Sequence, residues 1–139
     1  MTTAYFSSRQ SVDAVEVQFV TLTGGVTAMT LLVDSGFTGQ SCFVLPEVDA
    51  SIRRRGAPRS RSIGAIQGVQ ERAWVTCRVG ALRFERTLIA IIADLSSLSL
   101  PAGIDGVAGL GFLRQFARWG AERANGGHWH FFLSDSVDE

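Results

Sequence analysis

Apolar side chains recur at every second position through short stretches of this chain, and glycines separate the stretches. Val15, Val17 and Phe19 alternate with Glu16 and Gln18, the period-two pattern of a half-buried strand. Gly24-Gly25 divides that run from Val26 to Val33 and predicts a two-residue hairpin turn. Ala73, Val75, Cys77 and Val79 alternate with Trp74, Thr76 and Arg78. Gly80-Ala81 then suits a type II′ turn into Leu82 to Glu85. Leu88 to Ala93 is apolar on both faces, which predicts a central strand. One helix is predicted over about 111–119, with Leu113, Phe116 and Ala117 inward and Gly120 ending it. A loop through Asn125-Gly126-Gly127 leads to a last strand, His128 to Ser134. Many short strands with one helix predict an all-β fold, a small closed barrel. A chain of 139 residues makes one domain, spanning 1–139.

One segment carries chemistry. Leu31-Leu32-Val33 is an apolar run that delivers Asp34 into Ser35-Gly36-Phe37-Thr38-Gly39. Burying a carboxylate is costly unless other groups stabilise its charge. A plain Asx turn, in which Asp34 caps its own loop, is the simplest reading. The run also resembles the Asp-Thr/Ser-Gly signature of aspartic peptidases, in particular the short retropepsin-like enzymes of bacteria. Leu45-Pro46 completes the pattern seen there, and Gly103 to Phe116 resembles that family's hydrophobic-hydrophobic-Gly element. The likeness covers roughly residues 14 to 133.

The resemblance implies an acid-protease-like barrel in which Val107-Ala108-Gly109 passes behind the turn and braces it. It implies a catalytic set of Asp34, Ser35 and Gly36. Ser35 would hold two opposed turns in register, and Thr38 would add a local hydrogen bond. Phe37 would narrow the adjoining substrate subsite. A flap over Ile63 to Val69, with Gly64, Ala65, Ile66, Gln67 and Gly68 at its tip, would close on an extended peptide substrate. The same residues also suit an ordinary hairpin loop. The C-terminal strand would pair into the dimer interface, with Trp129, Phe131 and Leu133 on its apolar side.

Peptide hydrolysis by this route needs two carboxylates about 3 Å apart sharing one proton. This chain has one Asp-Ser-Gly, so the chemistry requires a homodimer with an Asp34 from each copy. A catalytically inactive, dimeric peptide- or protein-binding module of the same fold is the alternative. No cofactor and no metal is expected. His128 and His130 with Cys42 and Cys77 lack zinc-ligand spacing. No G-x-S-x-G is present, and Gly106, Gly109 and Gly111 are misordered for a dinucleotide loop.

The formal net charge is zero, which gives no global pull toward nucleic acid or an acidic membrane. Arg53, Arg54, Arg55, Arg59 and Arg61 could contact RNA phosphates, but they lack interleaved aromatics and read as an exposed loop. Neither a signal-length apolar start nor a spanning run is found, and the two cysteines are too few for a disulfide framework. A cytoplasmic protein is expected.

Overall fold

The computed structural model describes residues 2–8, 11–46, 56–60, 69–96 and 98–135. Among these residues, ten strands and one short helix run in the order β1 (Thr3–Ser7), β2 (Ala14–Val20), β3 (Val26–Asp34), β4 (Phe43–Leu45), β5 (Gly56–Ser60), β6 (Val69–Arg78), β7 (Glu85–Ile92), β8 (Gly106–Gly109), α1 (Leu110–Leu113), β9 (Arg118–Arg123) and β10 (Trp129–Ser134). The larger sheet runs β2-β3-β8-β4-β7-β6-β5, and β2 also pairs with β6. That second pairing closes six strands into a barrel, the all-β fold expected, and leaves β5 outside the ring. A second sheet has the order β1-β10-β9.

The alternation in sequence becomes the inside of the barrel. Val15, Val17 and Phe19 are buried on β2, and Ala73, Val75 and Cys77 on β6. Phe19, Phe43, Phe112, Phe84 and Phe116 form a chain of ring contacts with centroids 4.6 to 6.1 Å apart. Aromatic pairs at such spacings add to the area they bury. Residues 88–92 of the apolar run fall in β7, which lies between β4 and β6 as a central strand should.

Several local expectations give way to pairing. The β2–β3 connection is a five-residue loop, closed by Thr21 N–H to the Gly25 carbonyl (2.8 Å) and Gly24 N–H to the Thr21 carbonyl (3.0 Å). The Gly24-Gly25 pair is therefore not a two-residue turn. Gly80 does not adopt a positive φ, so the turn closed by Leu82 N–H on the Val79 carbonyl (2.9 Å) is not type II′. Strand β7 accordingly starts at Glu85, while Leu82 and Phe84 fold inward and are buried. The helix is one turn long rather than spanning 111–119. Gln115 and Phe116 bond back to Phe112 and Leu113, an i→i−3 tightening, and Ala117 N–H then reaches the Ser134 carbonyl (3.0 Å). From Arg118 onward the chain is strand β9, with Gly120 inside it, because pairing with β10 outcompetes helix propagation. Residues 56–60 of the arginine-bearing stretch, expected as loop, pair with β6 as β5.

Cys77 lies in the barrel core with its thiol directed at the Arg86 carbonyl (3.5 Å). Burial pushes this thiol up to about 12. A raised folded pKa means the native state holds its proton longer than the unfolded chain. The stabilisation is therefore complete below the unfolded value near 9.0 and is lost as pH climbs toward 12. Urea unfolding should show stability falling by up to about 1.4 kcal/mol per pH unit across that window. The Cys77→Val variant should lose this dependence; an unchanged slope would refute the assignment.

Candidate active site

Asp34 is the last residue of β3 and shares the parity of Thr30 and Leu32, opposite the buried Met29 and Leu31. Its position at the strand end leaves it exposed at the rim of the barrel. Two hydrogen bonds shape the turn that follows. The Gly36 N–H donates to Asp34 Oδ1 (2.9 Å) and the Phe37 N–H donates to the Asp34 carbonyl (3.1 Å). This is an Asx turn nested in a β-turn, and a Cβ on Gly36 would sit 3.2 Å from Asp34 Oδ1. The turn's own hydrogen bonds thus come from backbone amides and not from the Thr38 hydroxyl. Ser35 and Thr38 are both exposed.

Behind the turn, β8 slots between β3 and β4. It runs parallel to β3, with Val33 opposite Ala108 and Asp34 opposite Gly109, and antiparallel to β4. Consecutive amides at the end of β8 then hold both ends of the following loop. Gly109 N–H bonds the Cys42 carbonyl and Leu110 N–H bonds the Phe37 carbonyl, each at 2.9 Å. Val107-Ala108-Gly109 therefore occupies the bracing position, as a paired strand. Close approach explains its glycines. A Cβ on Gly106 would lie 2.5 Å from the Val44 carbonyl oxygen, and one on Gly109 would overlap the Phe37 ring.

Phe37 is half-buried and packs with Leu95, Leu98 and Leu100 against a small cluster of Val44, Ile91, Ala93 and Val107. The ring anchors the turn to the barrel wall, a packing role beyond the one expected of Phe37 from sequence. The signal was present in the spacing of Leu95, Leu98 and Leu100, which had no assigned partner.

Asp105 is the other acidic residue of this region, and it is structurally engaged. Thr30 N–H donates to Asp105 Oδ2 (2.9 Å) while Asp105 N–H donates to the Thr30 carbonyl (2.7 Å). The two strands run in parallel register, so Asp105 faces Thr30 and lies four residues from the level of Asp34. That separation is about 13 Å at strand rise, far beyond proton sharing. One chain cannot build a carboxylate pair from Asp34 and Asp105. Replacing Asp105 by Ala should cost about 1 kcal/mol, because it strips the Thr30 amide of its acceptor. A urea midpoint unchanged from wild type would remove this clasp from the account.

Gly64, Ala65, Ile66, Gln67 and Gly68 lie outside the described residues; β5 and β6 flank them, with Ser60 opposite Val69. The structure does not bring His128, His130, Cys42 and Cys77 together. Both cysteines are buried in the core, and His130 Nε2 pairs with Glu122 Oε1 at 3.1 Å. Among the described residues no group of three or more His, Cys, Asp or Glu is placed to hold a metal ion. No helix among them is long and apolar enough to cross a membrane.

The C-terminal strand departs from expectation. Phe131 and Leu133 fill the chain's own core, and both edges of β10 are already paired, with β1 and with β9. Strand β10 has no edge to offer a second copy. No protein-family model matches the chain, and no curated protein matches it.

Proposed function

We propose that this chain is an aspartic endopeptidase whose catalytic pair is one Asp34 from each subunit of a homodimer. The observation that carries the reading is the exposed Asp34 turn, fixed from behind by the Gly109 and Leu110 amides. Acid–base chemistry needs a carboxylate that is reachable by substrate yet rigid in position. Two such turns facing each other across a two-fold axis share one proton, because both cannot be ionised at contact distance. The ionised Asp34 takes a proton from the attacking water, and the protonated one polarises the scissile carbonyl. The titration belongs to the pair and not to either copy. Ser35 holds the facing turns in register, and Gly36 shapes the carboxylate through its amide. The substrate is an extended peptide, added as a strand beside the rim. The reaction uses no metal or organic cofactor.

The test is digestion of a proteome-derived peptide library from about pH 3 to 7, a window that brackets a coupled carboxyl pair. Solution mass is measured in parallel. Cleavage by a dimer supports the reading and returns the subsite preferences. A stable dimer that binds peptides without turnover would mean an inactive binding module of this fold, and a monomer would remove the mechanism.

A further inference from the structure

The smaller sheet has one open edge, and its residues are arranged to match themselves. Strand β9 pairs with β10 on one side, and among the described residues no strand lies beyond it. All its residues except Gly120 are exposed. The opposite edge differs: β1 faces β2, and Tyr5, Phe6 and Ser7 line a cleft with Ala14, Val15 and Glu16. The remaining edge, β5, contains Pro58, which lacks the N–H a partner strand would need.

Hydrogen-bond parity fixes which groups of β9 point outward. Ala124 N–H bonds the His128 carbonyl (2.6 Å), and these residues continue the β9–β10 register. The even-numbered residues of β9 therefore bond to β10. Trp119, Ala121 and Arg123, the odd-numbered ones, turn their N–H and C=O groups away from the chain.

We propose that β9 is a dimerisation edge, on which β9 of a second copy pairs antiparallel with Gly120 facing Gly120. This inference names a two-fold contact for the homodimer of the peptidase reading, and it rests on that reading only for its purpose. In this register Trp119 and Ala121 exchange backbone hydrogen bonds with Ala121 and Trp119 of the second copy. Arg118 then lies opposite Glu122 of the second copy, and Glu122 opposite its Arg118. These are non-hydrogen-bonded positions, where side chains come closest. Both groups are held on one face: Arg118 over the Phe132 ring at 5.3 Å, and Glu122 on His130. Shifting by two residues sets Arg118 opposite Gly120 or Ala124, and shifts by one break the parity. Charges on a lone edge ordinarily discourage pairing; this sequence places them so that one register attracts.

The experiment measures association by sedimentation for wild type, Arg118→Glu, Glu122→Arg and the double reversal, with circular dichroism to confirm folding. Each single reversal creates two like-charge contacts per dimer and should weaken association by at least about tenfold. The double reversal restores opposite charges and should restore association. Ala121→Pro removes an outward N–H without touching the β9–β10 ladder, and should give a folded monomer. A monomeric wild type, single reversals without effect, or a dimeric Ala121→Pro variant would each overturn the proposal. Peptide cleavage, read on the same samples, separates the two claims. A β9-dependent dimer that cleaves nothing refutes the peptidase reading alone, and a cleaving dimer indifferent to β9 refutes the edge alone.

Discussion

Asp34→Asn should leave the dimer folded and cleave no peptide. The substitution is nearly isosteric, and the oxygen of the new side-chain amide can still accept the Gly36 N–H that Asp34 Oδ1 accepts at 2.9 Å. The turn and its attachment to Gly109 and Leu110 stay in place, so a loss of activity cannot be blamed on unfolding. What disappears is the exchangeable proton on both sides of the pair. One acid–base group contributes up to about 10⁴ in rate, and the homodimeric variant loses both, so turnover should fall by at least about 10⁴. Mixing gives a sharper reading. After subunit exchange at equal concentrations, only about a quarter of the dimers carry two carboxylates, by the statistics of two-fold assembly. Activity per dimer should then drop to about a quarter, against about half if each subunit acted alone. Residual activity equal to wild type in the variant would end the assignment.

The large features of this fold were legible because burial writes itself into sequence with a period of two. β2 and β6 carry that pattern and pair side by side where the barrel closes, and β7 shows the doubly apolar run of a strand covered on both faces. The Asp34 turn was legible for a related reason: a charge placed after Leu31-Leu32-Val33 marks the point where a strand leaves the core. What failed were features decided by distant partners. Nothing local in Arg114 to Gly120 says that a strand will pair there; the decision is made by β10, from residues 129–134. The packing role of Phe37 was hidden because its partners, Leu95, Leu98 and Leu100, come about sixty residues later. The position of β10 between β1 and β9 was equally hidden, since its edges are claimed by both ends of the chain. Acidic character alone would also have mistaken Asp105 for a catalytic group, and only the register against Thr30 shows it to be a clasp.

Gly109→Ala should damage both the fold and the Asp34 turn by adding a single methyl. The residue has φ −98° and ψ −175°, ordinary extended backbone that alanine adopts without strain. The cost is purely one of space. The new Cβ would overlap the Phe37 ring and lie 2.7 Å from the Phe37 carbonyl oxygen. That carbonyl cannot retreat freely, because it accepts the Leu110 N–H at 2.9 Å, and the Gly109 amide itself holds Cys42. Relief requires the Phe37 ring to leave its cluster or the Asp34 turn to separate from β8. Overpacking of this kind costs about 1–3 kcal/mol, and the rigid backbone contact places this site at the upper end. Activity should suffer more than stability, since a displacement near 1 Å at a reacting group costs about a hundredfold in rate. Gly111→Ala is the matching control. Its Cβ would meet the Cys42 sulfur at 3.1 Å, a contact that a side chain can relieve, and the turn should keep its place. Measuring both unfolding midpoint and cleavage separates the cases: Gly109→Ala should lose both, and Gly111→Ala should keep most of each. Wild-type cleavage in a folded Gly109→Ala protein would show that β8 does not set the position of Asp34.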